Sequence, residues 1–161
     1  MTLDLRRPFI AQTVGLGIEA KYISSALAAD DAPSSRALLA KQAKARTWQE
    51  LNEVRLGCSV ANWDGFGASP VAWTTFSHAW EFVDALPQGF PMPTPGAEPD
   101  GHITLEWYKS PRQIISVSMD QERQIHFAAI WPEGKRKKGA MRFNKDAPLD
   151  LLDLIHTVLS A

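Results

Sequence analysis

The sequence holds a single cysteine, Cys58, in 161 residues, so no internal disulfide is available and the fold must stand on its core. Charge of one sign is lacking too, with 17 basic residues against 18 acidic ones and a net charge of −1. No global field draws such a chain onto nucleic acid or an anionic membrane. Long apolar runs are missing. The N-terminal apolar stretch is interrupted by Gln12, Glu19 and Lys21, which makes it too polar for a membrane helix and too broken for a signal-peptide core. The expectation is a cytoplasmic protein with no membrane association. The histidines, His78, His102, His126 and His156, form no pair at metal-ligand spacing, so neither a metal nor a cofactor is expected.

What is present is an ordinary globular composition, 45% hydrophobic with six tryptophans, enough to bury a core in one domain. Residues 1–33 read as an N-terminal arm or helix. Ile18, Tyr22, Ile23, Ala26 and Leu27 fall on one helical face, and the run from Asp30 to Pro33 breaks it. Residues 34–161 read as a single α+β domain. Ser34 or Ser35 can cap a helix through Leu56, or Thr47 and Glu50 can open a second one there as a capping box. Gly57 is a natural stop. Ser69-Pro70 looks like a helix start, and Trp73, Phe76, Trp80 and Val83 recur at helical spacing as a core stripe.

Five prolines and three glycines between Pro87 and Gly101 predict a long crossing loop. The rhythm then changes to period two. Ile103, Leu105 and Trp107 begin one strand, Ile115, Val117 and Met119 a second, and Ile125, Phe127, Ala129 and Trp131 a third. Ala140 to Phe143 offers a fourth, and Pro132 to Gly139 reads as a loop before it. Short links make the meander antiparallel. Asp146 and Pro148 open a last helix with a buried stripe of Leu151, Leu152, Ile155, Val158 and Leu159. The predicted architecture is N-terminal helices, a three- or four-stranded antiparallel meander and a C-terminal helix, with the helices on one sheet face.

The segment Asn62-Trp63-Asp64-Gly65-Phe66-Gly67-Ala68, the proline-rich crossing, Pro99-Asp100-Gly101 and Leu105-Glu106-Trp107 together resemble a group of small bacterial proteins. Those proteins often carry Tyr at the position of Phe66. The resemblance runs from about Trp48 to the C-terminus, leaves the first forty or so residues as a variable extension, and implies no established activity.

The loop from Asn62 to Ala68 has two readings. Turn chemistry accounts for every residue type, with Trp63 and Phe66 filling the core while Asp64-Gly65 turns the chain. The functional reading is a binding corner of Asn62, Trp63 and Asp64 beside an exposed aromatic. Asp100, Glu106 and Lys109 superficially suggest a metal-dependent nuclease, where carboxylates hold a cation that activates water. Two residues separate Glu106 from Lys109, so a regular strand points them to opposite faces. His126 can share the non-core face with Glu106 and Tyr108. Lys135, Arg136, Lys137 and Lys138 form a basic run suited to phosphate contact, or to a solvated loop. The glycine spacing is not a phosphate loop and no nucleophile elbow is visible, so no catalytic residue is assigned. The leading expectation is a non-catalytic interaction or regulatory module of a bacterial cell, binding a protein partner or a second copy of itself as a homodimer. An accessory-genome role of antitoxin, defence or anti-defence type is an analogy. The alternative is a nucleic-acid-binding protein or nuclease using Lys135–Lys138 with Asp100 and Glu106.

Overall fold

The computed structural model describes the backbone from Ile18 to Ala161 and side chains from Pro33 onward. Its elements are α1 (Ile18–Gly57), α2 (Trp73–Ala85), β1 (Thr94–Ala97), β2 (Ile103–Ser110), β3 (Gln113–Met119), β4 (Gln124–Trp131), β5 (Lys135–Arg142) and α3 (Leu149–Ser160). The strands form one antiparallel sheet in the order β1-β2-β3-β4-β5. The α+β architecture is as the sequence predicts, with five strands in place of three or four. Residues Arg36–Ala161 make up one compact unit. The predicted N-terminal stripe of Ile18, Tyr22, Ile23, Ala26 and Leu27 lies outside the described side chains.

The period-two residues all turn inward. Ile103, Leu105, Trp107, Ile115, Val117, Met119, Ile125, Phe127 and Ala129 are buried beneath α2 and α3, which cover this face alone. From α2 come Phe76, Ala79, Phe82 and Val83, and from α3 come Leu151, Leu152, Leu154, Ile155 and Val158. Each fully buried side chain of this size contributes about 1.5–3 kcal/mol. Leu51 of α1 enters the same core, and Lys44 Nζ donates to the carbonyls of Asp84 and Leu86 at 2.8 and 3.0 Å. That satisfies orphan acceptors at the end of α2 with a cation on the favourable side of the helix dipole. The opposite sheet face carries no helix among the described residues.

Several local expectations need correction. The chain is helical through Pro33, with no break at Asp30–Pro33 and no second start at Thr47. Ser69-Pro70 does not open α2: the cap is Ala72, without a side-chain bond, and the Val71 N–H that a Ser69 cap would accept is already given to Cys58 O. The crossing loop contains β1, and the supposed loop before Gly139 belongs to β5, whose turn is only Pro132 to Gly134. Asp146 is likewise not the cap of α3, which begins behind Pro148.

Candidate functional site

The segment Asn62 to Ala68 is a closed loop built by its own polar side chains. Asn62 adopts a φ of 61°, and Gly65 and Gly67 adopt 78° and 95°, a left-handed region that glycine and asparagine tolerate best. Asn62 N–H donates to Ala68 O at 2.7 Å and Gly65 N–H to Asn62 O at 3.0 Å. Asn62 Oδ1 accepts from Gly67 N–H at 2.7 Å. Asp64 Oδ1 accepts from both Phe66 N–H and Ala68 N–H, at 2.8 and 3.0 Å. Trp63 Nε1–H donates to Ser69 O at 2.9 Å. The loop is also fastened to the β1–β2 turn, where Ser69 N–H reaches Pro99 O at 2.8 Å and Gly101 packs against Pro70 O. The Asn62–Ala68 loop and the Pro99–Gly101 turn are thus one structural unit.

What this unit holds is Phe66, whose side chain is 95% exposed. The expectation that Phe66 fills the core is overturned, and Trp63 is only half-buried. The reason is geometric: Asp64 binds the main chain on both sides of Phe66 and leaves the ring at the tip of the loop. An exposed aromatic on a loop with this many internal bonds is positioned rather than left over.

The Asp64 carboxyl is held below its ordinary pKa, first by the Phe66 N–H and then by the Ala68 N–H. A depressed carboxyl pKa stabilises the fold above the ordinary aspartate value, and the benefit goes as pH falls through the depressed one. The loop should therefore loosen only below about pH 3.9. An NMR titration should show the Phe66 and Ala68 amides shifting together with the Asp64 carboxyl; amides indifferent to that titration contradict the bonding.

A second exposed aromatic surface lies between α1 and α2. Trp48 stacks on Trp80 with centroids 5.1 Å apart and planes 7° from parallel. Phe76 touches both Trp73 and Trp80, at 5.1 and 5.7 Å, and the Arg55 guanidinium lies 5.3 Å from the rings of Trp73 and Phe76. They line a cleft of about 610 Å³ with Asn52 and Ser77. Trp73 is 65% and Trp80 37% exposed, so the stripe expected in the core is buried at Phe76 and Val83 but not at its two tryptophans.

The third feature is a polar cleft of about 720 Å³ on the open sheet face, lined by Glu98, Asp100, His102, Ser118, His126 and Lys138 among others. It joins Asp100 and His126 to Lys138 of the basic run. Glu98 and His102 were not singled out from the sequence, because only the register, which sets Ile103 against Met119 and Ser118 against His126, carries the β1–β2 turn to β4. Glu98, Asp100 and His102 each offer a ligand atom within 4.8 Å of the others, so they are the described residues able to hold a cation. They also fasten the turn. Thr104 Oγ1 donates to Glu98 Oε1, and Asp100 meets both the His102 N–H, at 3.1 Å, and the His102 ring Nδ1, at 3.4 Å. Ser118 Oγ lies 3.5 Å from that same Nδ1. A nucleophile–base–acid relay needs the hydroxyl and the carboxylate on different ring nitrogens, so Ser118, His102 and Asp100 do not form one. The His126 ring lies parallel to that of His102 at 6.3 Å.

Asp64 does not enter this cleft. Glu106 shares the open face through its pairing with Ser116 but is not part of the lining. Lys109 Nζ bonds the carbonyls of Leu159 and Ala161 on the helix side, away from Glu106, so the lysine of the suggested nuclease set is engaged in holding the end of α3. Lys135, Arg136, Lys137 and Lys138 lie on β5 at the sheet edge. No helix among the described residues is long and apolar enough to cross a membrane. Compared with known proteins, the chain matches no family model, no curated protein and no solved structure.

Proposed function

We propose that this chain is a non-catalytic protein-interaction module that docks a partner, or a second copy of itself, through the aromatic side chain of Phe66. The reading rests on one observation: Phe66 is almost wholly exposed on a loop whose polar side chains are spent in fixing it. Aromatic anchors of this kind carry a large share of interface energy because they bury much area at little entropic cost. The half-open cleft of Trp73 and Trp80 adds exposed aromatic surface of the same kind. The nuclease reading finds less support, since Lys109 is turned from Glu106, and the cations of the nucleic-acid reading form a strand edge.

Phe66→Ala is the test. The ring buries almost nothing against the described residues, so the melting temperature should be unchanged, while self-association in sedimentation velocity, or binding of a partner recovered by affinity capture, should weaken about thirtyfold, as loss of an anchor worth about 2 kcal/mol requires. Binding unchanged by the substitution overturns the assignment of Phe66.

A further inference from the structure

β5 is the last strand of the sheet, and among the described residues no element other than β4 packs against it. Its eight residues, Lys135–Arg142, contain no proline. The other edge, β1, is four residues long and contains Pro95. Phe143 N–H donates to Arg123 O at 2.8 Å, and the β4–β5 register continues that pairing without interruption, setting Met141 against Ile125 and Gly139 against Phe127. Antiparallel pairs alternate between bonded and unbonded, so the odd-numbered residues turn their N–H and C=O toward β4. Arg136, Lys138, Ala140 and Arg142 turn theirs outward. Their side chains stand on the open face, opposite Ile130, Ala128, His126 and Gln124. None of those four β4 residues is acidic. Among the described residues Arg136, Lys138 and Arg142 make no ion pair, whereas Lys135 is held by Glu133 at 2.8 Å.

We propose that this edge accepts an extended acidic segment of another protein as a sixth strand. The outward N–H and C=O groups at alternate positions match the ladder of an added strand, and side chains on one face recur every two residues, about 6.6–6.8 Å apart, so acids at alternate positions of the incoming segment meet Arg136 and Lys138. Lysine on an edge deters pairing between like edges. Two β5 edges would bring five cations against five, which disfavours a second copy of this chain and selects a partner of opposite charge. The site is separate from Phe66, and the two readings stand or fall independently.

The probe is an acetylated, amidated peptide of alternating glutamate and valine, as long as β5, titrated by calorimetry against the full chain at low and high salt. The chain should bind it, and NMR amide shifts should concentrate on Arg136, Lys138, Ala140 and Arg142. The same peptide N-methylated at alternate residues keeps its charge but loses the ladder donors, and should bind at least about tenfold more weakly. Arg136→Glu with Lys138→Glu should weaken the unmethylated peptide by a similar factor, and Phe66→Ala should leave it unchanged. No binding, equal binding of the methylated peptide, or tighter binding of a short oligothymidine at equal salt overturns the proposal; the last outcome assigns the edge to nucleic acid.

Discussion

Gly101→Ala should lower the free energy of unfolding by about 2–5 kcal/mol. Two costs add at this residue. Its φ of 89° lies where an L side chain is disfavoured by about 1–2 kcal/mol. A Cβ there would stand 2.9 Å from Pro70 O, a backbone atom that no rotamer change can move aside, and overpacking of this kind costs about 1–3 kcal/mol. Gly65→Ala separates the two, since Gly65 has a φ of 78° but open space around its Cβ direction, and it should lose only the conformational part, about 1–2 kcal/mol. Denaturant titration should show a larger fall in midpoint for Gly101→Ala than for Gly65→Ala with the same slope. Equal losses would mean that the Pro99–Gly101 turn is not docked on Ser69-Pro70. Because that docking also anchors the loop of Phe66, Gly101→Ala should weaken partner binding while Phe66 itself is intact.

Gly139→Ala is the second substitution with a large expected effect, and here the backbone is ordinary. Strand propensity alone favours alanine by about 0.5–1 kcal/mol. A Cβ at this position, however, would lie 2.7 Å from Cζ and 2.9 Å from Cε1 of Phe127, a ring buried in the core. Displacing it costs about 1–3 kcal/mol, which outweighs the propensity gain and leaves a net loss of up to about 2.5 kcal/mol. Phe127→Leu shortens the ring side and should relieve the overlap. In a double-mutant cycle the pair should be less destabilised than the sum of the single substitutions, with a coupling of at least about 0.5 kcal/mol. Strict additivity would place Phe127 elsewhere than under Gly139.

The central sheet was legible because burial on one face writes a period of two into β2, β3 and β4, and their apolar residues occupy the core as expected. β5 carried no such signal. Only Met141 of its helix-side residues leans on the core, and an edge strand defended by cations looks in sequence like a solvated loop. β1 was hidden for a related reason: Pro93 and Pro95 suit an edge, where one side of the backbone needs no partner, yet they read as loop. Ser69-Pro70 has the composition of a helix start, but the hydrogen bond from Val71 to Cys58 is a long-range fact that no local pattern contains. Three aromatics depart from expectation in the same direction. Phe66, Trp73 and Trp80 have the residue type and spacing of core, and only the position of α1 and the closure of the Asn62–Ala68 loop leave them outside. The polar cleft depended on register, which carries His102 to His126, and so it was legible only in part, through Asp100, His126 and Lys138.

Display of Phe66 by a stiff loop is measurable by backbone ¹⁵N relaxation at Phe66, Gly67 and Ala68. Order parameters near 0.85, the value of rigid backbone, are expected for all three, together with ready solvent access to the Phe66 ring. Values below about 0.6 would describe a loose tip, and the case for a prepositioned anchor would be contradicted.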